Sequence, residues 1–180
     1  MTIEPLYKRL LGERYQTLPP TVQALHDVQG SVTWRGRFIA IRGQHPLSRL
    51  IASLLSLPKA GDDLPLSVTF TQDGEKEHWE RDFDGHRFSS LQWTQNGKLY
   101  EKLRLVTLIF IIEANAQELR LQLEDVRLFG LSVKGLRPQV SAVESERDGI
   151  FHVDVEVRLP LLGLLVEYHC WLEREETRTS

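Results

Sequence analysis

From residue 150 to residue 159 apolar and polar side chains alternate without a break. Phe151, Val153, Val155, Val157 and Leu159 fall on one parity; His152, Asp154, Glu156 and Arg158 fall on the other. A period of two is the mark of a strand with one buried and one wet face. The pattern then gives way to Pro160-Leu161-Leu162-Gly163-Leu164-Leu165-Val166, apolar on every side. Pro160 and Gly163 predict a bend there, and the leucines around them need a cover.

The same period recurs through much of the chain. Gly30 opens a long strand in which Val32, Trp34 and Phe38 share a face. Its apolar side is expected to switch to Ile39 and Ile41, through a bulge near Gly36. Leu66, Val68 and Phe70 alternate with Ser67, Thr69 and Thr71, and Trp79 and Phe83 face inward on the next strand. Phe88, Leu91 and Trp93 follow with a slip of phase. Residues 99–113 read as one strand, apolar on both faces at Leu108–Ile112. Leu119, Leu121 and Leu123 continue the series, shifting to Val126 and Leu128, and residues 140–146 follow a loop at Gly130–Pro138. Asp73-Gly74, Asp84-Gly85, Asn96-Gly97 and Asp148-Gly149 supply turn signals between strands.

Period 3.6 appears in three places. Leu6, Tyr7, Leu10 and Leu11 predict a first helix ending at Gly12, and Thr21–His26 a short second one. In residues 46–57, Leu47, Leu50, Ile51, Leu54 and Leu55 predict an amphipathic helix with Pro46 in its first turn. The elements add up to an α+β fold. A long antiparallel meander of about eight or nine strands, too many to stay flat, curls into a barrel or half-barrel. Helices precede it, and one helix is inserted after the first strand. Residues 1–174 read as a single domain, with a frayed tail at 175–180.

Composition narrows the class without naming a reaction. The 180 residues are 41% hydrophobic and 26% charged, with a formal net charge of -3. That balance is ordinary for a globule and unlike a nucleic-acid binder. Cys170 is the lone cysteine, so no disulfide can form within the chain, which fits a reducing compartment. The first twenty residues lack the apolar core of a signal peptide, and the longest apolar runs are too short to cross a bilayer. A cytoplasmic location is the expectation.

Catalytic motifs are absent: no GxGxxG, no phosphate-binding loop, no HExxH, no GxSxG. No metal site and no cofactor are expected. His152, Asp154 and Glu156 could hold a divalent cation or serve as an acid–base pair, but alternation alone explains them as a solvated face. Cys170 follows His169 directly, and neighbours on a strand face opposite ways, so Cys170 reads as structural. His26 ends the second helix, where it can cap the terminus, sit in the core, or look into a barrel mouth. Arg42 belongs to a group with Arg35, Arg37 and Arg49 that could clamp a carboxylate or phosphate, or make surface ion pairs. Trp34, Phe38, Phe70, Trp79 and Trp93 lie on consecutive early strands, where curling would gather them into a core or around a cavity. The expected ligand-binding set is therefore Trp34, Phe38, Phe70, Trp79, Trp93, His26 and Arg42. The expected ligand is an apolar small molecule or lipid, bound without chemistry. The greasy segments 128–133 and 160–166 are expected to pack under the 46–57 helix; left uncovered they would form a patch for a partner domain or membrane surface, and they support a second expectation, an accessory domain docking to a partner. A His/carboxylate enzyme is the third.

Four segments carry a family resemblance: LYKRLLGERYQTLPPTVQALHD, GRFIAIRGQHPLSRLIASLLSLPKAGDDLPLSVTF, EHWERDFDGHRFSS and the 144–172 stretch. Together they resemble a bacterial domain-of-unknown-function family, number 4166, over roughly residues 5–173. The resemblance implies a bacterial cytoplasmic domain found alone or fused behind nucleotide-dependent oxidoreductase-like domains. An oxidoreductase-like partner is thus implied, with no established activity and no catalytic residues. The family's closing tyrosine-x-glycine-tryptophan pattern has Cys170 here at its small position, between His169 and Trp171.

Overall fold

A computed structural model of the chain describes residues 3–133 and 138–175. Helix α1 (Leu6–Leu11), a 3-10 turn (Gly12–Thr17) and α2 (Pro20–His26) precede β1 (Ser31–Arg42). Helix α3 (Pro46–Leu54) follows. Then come β2 (Gly61–Asp73), β3 (Lys76–Phe83), β4 (His86–Gln95), β5 (Lys98–Leu103), β6 (Val106–Ala114) and β7 (Glu118–Leu128). The chain continues through β8 (Leu131–Ser132), β9 (Gln139–Arg147), β10 (Ile150–Leu159) and β11 (Gly163–Arg174). Segments 134–137 and 176–180 lie outside the described residues, and with them most of the expected frayed tail and part of the Gly130–Pro138 loop.

Every strand pairing is antiparallel. The sheet runs β6-β5-β4-β3-β2-β1-β11-β10-β9-β7, and β6 also pairs with β7, which closes ten strands into a barrel. Strand β8 adds only a two-residue pairing to β7. Closure leaves the ten strands no unpaired edge. Strand β1 is the seam, joining β2 on one side to β11 on the other. Gly36 sits at a close approach in this seam: a Cβ there would stand 1.8 Å from the Trp171 carbonyl oxygen.

The two ends of the barrel are covered differently. At one end α1 and α2 insert Leu6, Tyr7, Val22, Leu25 and His26, all buried. The Leu6 backbone N–H donates to Glu77 Oε1 at 3.1 Å, and the Thr21 N–H donates to Glu146 Oε2 at 2.8 Å. Carboxylates inside the barrel thus take up N–H groups that a helix start leaves without partners. At the other end α3 crosses the mouth. Near its start the Ser48 hydroxyl donates to the Leu162 carbonyl between β10 and β11; at its end Arg104, between β5 and β6, donates to the Leu54 carbonyl. Strands β11 and β5 are on opposite sides of the ring, so nine helical residues, about 13 Å, form a strap rather than a plug. Ser48 and Ala52 face the barrel and are fully buried, while Leu47, Leu50 and Leu54 point to solvent.

Three details differ from the expected pattern. Residues 99–113 are two strands, because the chain turns at Arg104-Leu105 with Arg104 at a φ of 53° and no glycine or asparagine to signal it. The irregularity in β1 lies between Phe38 and Ala40 rather than at Gly36. It does not switch faces: Phe38 and Ala40 stay buried, while Ile39 and Ile41 are exposed on the outer surface. On β4 the inward residues Ser90 and Gln92 are polar, and the apolar Leu91 and Trp93 face outward.

Candidate functional site

The interior carries a polar layer flanked by aromatic rings. On β3 the inward residues are Glu77, Trp79, Arg81 and Phe83; Glu77 pairs with Gln92 on β4, and Gln92 pairs with Glu101 on β5. Three strands therefore place Glu77, Gln92 and Glu101 side by side on the inner surface, and all three are buried. Arg81 donates to Ser90 Oγ at 2.9 Å and to Glu101 Oε1 at 3.1 Å; Ser90 donates to the same carboxylate oxygen at 2.6 Å. The Arg81 guanidinium also lies 4.8 Å from the Trp79 ring centre and 5.1 Å from that of Phe88. An interior cation is thus held by one carboxylate and two π faces.

Above this layer, toward α1 and α2, the Tyr7 hydroxyl donates to Gln92 Oε1 at 3.1 Å. Trp79 Nε1 donates to Glu77 Oε2 at 3.3 Å. His26 Nε2 and Glu144 Oε2 share a 2.6 Å hydrogen bond, and the Tyr7 ring stacks on the imidazole at 3.6 Å. His26 Nδ1 has no hydrogen-bond partner among the described residues. Burial, opposed mainly by His26 and the Leu6 N–H, raises the Glu77 pKa. Burial also raises that of Tyr7, with Glu144, Glu101 and Glu77 adding to the effect. In both, burial works against the charged form. His26 is sealed from solvent, so in this conformation the pair joins helix to barrel and meets no substrate.

The expected ligand-binding set divides in three. Trp34, Phe38, Phe70, Trp79 and His26 are buried in the core, where Phe70 and Trp79 meet edge to face at 4.6 Å. Trp93 lies on the outer surface, stacked on Tyr100 at 5.4 Å. Arg42 braces the connection after α3: its guanidinium donates to the Pro58 carbonyl at 2.7 Å, to the Leu57 carbonyl, and to Ser53 Oγ at 3.2 Å. The other arginines of its group do not converge with it. Arg35 pairs with Glu175, Arg37 with Asp63, and Arg49 reaches the Gly43 carbonyl.

Sequence reasoning passed over Glu77, Arg81, Ser90, Gln92, Glu101 and Glu144. Glu77 and Arg81 share the parity of Trp79 and Phe83, the inward aromatic pair of the expected strand. That parity was the available signal.

Some inward side chains keep partial exposure on the α3 side. Phe88, Val106, Leu108, Val140 and Tyr168 pack against the core yet are only half-buried. Toward α1 and α2 the inward residues Leu99, Phe110, Leu119 and Phe151 are fully buried. Arg81 and Glu101 stand between these halves, their side chains 13% and 11% exposed. Burial raises the pKa of the Tyr168 hydroxyl and of the Cys170 thiol beside it.

A second constellation lies on the outer face. Arg147 donates to Asp154 Oδ2 at 2.7 Å, Asp154 Oδ1 lies 2.5 Å from His169 Nδ1, and His169 Nε2 lies 3.1 Å from His152 Nδ1. Partial burial, then the neighbouring His169, lowers the His152 pKa. The chain of groups can pass a proton and leaves His152 Nε2 as its free end. Beside it runs an open groove of about 290 Å³, lined by Ile39, Ile41, Val143, Asp154, Glu156 and His169 among others. Among the described residues no cluster of His, Cys, Asp and Glu fits a metal ion. Among the same residues no helix is long and apolar enough to cross a membrane.

Comparison with curated proteins finds no match. A family model does match, over residues 18–172, from the end of the 3-10 turn through nearly all of β11. That span takes in nearly the whole closed barrel, α3 and the His26–Glu144 pair, so the chain belongs to the family described as Domain of unknown function (DUF4166).

Proposed function

We propose that the barrel binds an apolar small molecule or lipid in the half of its interior nearer α3. The observation that carries this reading is the contrast between the two halves. Leu99, Phe110, Leu119 and Phe151 are fully buried on the α1–α2 side, whereas Phe88, Leu108 and Tyr168 keep solvent contact on the α3 side, beside the buried Phe38, Ala40 and Phe83. An apolar wall that retains access to solvent gains free energy when a ligand covers it. The walls suit a hydrocarbon body. At their base, the Tyr168 hydroxyl and the Arg81–Glu101 pair offer hydrogen bonds to a polar head. Ordinary binding without bond breaking suffices, since the one fully buried His/carboxylate pair is out of reach.

Native mass spectrometry of the protein purified gently from cells tests the reading. A retained mass released by organic solvent is the expected result. Bare protein alone, together with a liganded-condition structure showing the α3 half filled by its own side chains, would overturn it.

The outer groove favours a second reading, an acid–base site working through His152 and His169. The observation behind it is the hydrogen-bonded series Asp154–His169–His152, of which Asp154 and His169 line the groove. It needs a substrate that loses its turnover in the His169→Asn variant while His26→Asn retains it.

A further inference from the structure

The apolar tips of segments 128–133 and 160–166 do not pack under α3: Phe129, Leu131 and Leu161 stay exposed. The inner face below them is built around one charge pair. Arg81 donates to Glu101 Oε1 at 3.1 Å and to Ser90 Oγ at 2.9 Å, and Ser90 donates to the same carboxylate oxygen at 2.6 Å. One cation thus faces one carboxylate. Tyr168 of β11 lies within their field. Burial raises the pKa of its hydroxyl, with Arg81 opposing and Cys170 and Glu101 adding, so the group is a neutral hydrogen-bond donor. The neighbouring wall is aromatic: Phe83 stacks on Phe88 at 5.7 Å and meets Tyr168 edge to face at 5.6 Å.

The surrounding groups leave this balance in place. Arg42 stands at the last position of β1, and its guanidinium is taken up by the Pro58 and Leu57 carbonyls and by Ser53 Oγ. His86 opens β4, about 13 Å from Ser90 along the strand. Toward α1 and α2, His26 is engaged by Glu144, while Glu77 and Glu146 add carboxyl groups rather than cations. A charge brought in beside Arg81 therefore meets its opposite and its like together.

We infer that the ligand of the α3 half carries an uncharged polar head, such as a hydroxyl, ester or amide, and that a carboxylic acid enters there only as its neutral form. The inference rests on the ligand binding proposed above and narrows it. An anionic head would gain Arg81 but stand beside Glu101; an ammonium head would gain Glu101 but stand beside Arg81. Either would also forfeit its hydration in a partly buried site, with no net counter-charge to offset the loss. A hydroxyl or carbonyl loses less on leaving water, and the Tyr168 hydroxyl and the Arg81 guanidinium can hydrogen-bond it without disturbing the pair.

Three ligands with one chain and different heads test it: dodecanol, dodecanoate and dodecylammonium. Each is titrated into the full chain at about pH 8 by calorimetry and by displacement of Nile red, an uncharged dye. Dodecanol is expected to bind at least about tenfold more tightly than either charged ligand. Glu101→Gln leaves Arg81 an unmatched cation while keeping an acceptor oxygen, so it is expected to improve dodecanoate about tenfold and to change dodecanol little. The comparison of heads on the native chain stands whether or not that variant folds. Dodecanoate binding as tightly as dodecanol and lost in Arg81→Gln would overturn the inference by making Arg81 an anion receptor. Tightest binding of dodecylammonium would overturn it in favour of Glu101. Equal binding of all three heads would also overturn it, while leaving an apolar chain site in place. No heat from any ligand and no uptake of dye would remove the ligand site itself, and the inference with it.

Discussion

His26 Nε2 stands 2.6 Å from Glu144 Oε2, joining the last residue of α2 to the middle of β9 across 118 positions of sequence. Both side chains are buried, and Tyr7 stacks on the imidazole from α1. Removing either partner strands the other in a low-dielectric interior, a larger loss than the net worth of the bond. Glu144→Ala is expected to cost about 3 kcal/mol in urea unfolding, and Glu144→Gln clearly less, because an acceptor oxygen survives. Equal losses from the two variants would mean that the pair matters for its packing alone.

The seam between β1 and β11 depends on Gly36, whose missing Cβ makes room for the Trp171 carbonyl. Both clashing partners are backbone atoms, so neither can swing aside. Gly36→Ala is expected to cost at least about 2 kcal/mol in chemical unfolding, despite alanine's better backbone propensity. A neutral Gly36→Ala would contradict the β1–β11 register described above.

The fold was legible in the sequence wherever binary patterning and core chemistry agreed. Strand β10 alternates cleanly because its inward face is Phe151, Val153, Val155 and Val157, and α1, α2, α3 and the curled sheet follow from similar signals. The site was hidden because the barrel interior is partly polar. On β4 the inward set is Phe88, Ser90 and Gln92 while Trp93 lies outside on Tyr100, so apolar character pointed to the wrong face. The turn at Arg104-Leu105 was hidden for a different reason: an arginine takes the positive φ that glycine or asparagine usually marks. Partners 118 residues apart, such as His26 and Glu144, leave no local trace at all.

His152 gives the stability a pH dependence of known sign. Its pKa in the fold is below the ordinary 6.5, through burial and then the neighbouring His169, with Arg147 adding to the effect and Asp154 and Asp148 opposing it. The folded state therefore binds the proton less readily than the unfolded chain does. The contribution of His152 is fully present above pH 6.5 and is lost as pH falls through its folded pKa. Urea midpoints measured between about pH 8 and about pH 5 should fall on acidification, and the fall should shrink in His152→Gln. A steeper fall in the variant would reverse the assignment.

Cys170 is 1% exposed and burial holds its thiol well above the usual cysteine range. The thiolate is the reactive form, so a thiol reagent should leave the native protein unlabelled and modify it on denaturation. Labelling in step with native-state mixing would show that the β11 interior opens readily.

The central claim is that the α3 half of the barrel interior, not the outer groove, holds an apolar ligand. A titration with an environment-sensitive fluorescent fatty acid tests this directly in three proteins: the native chain, Leu108→Trp, which fills the interior, and Ile41→Glu, which charges the exposed groove wall. The account predicts saturable binding of one probe per chain, weakened about tenfold or more by Leu108→Trp and unchanged by Ile41→Glu. No saturable binding, or binding lost in Ile41→Glu and kept in Leu108→Trp, would contradict it.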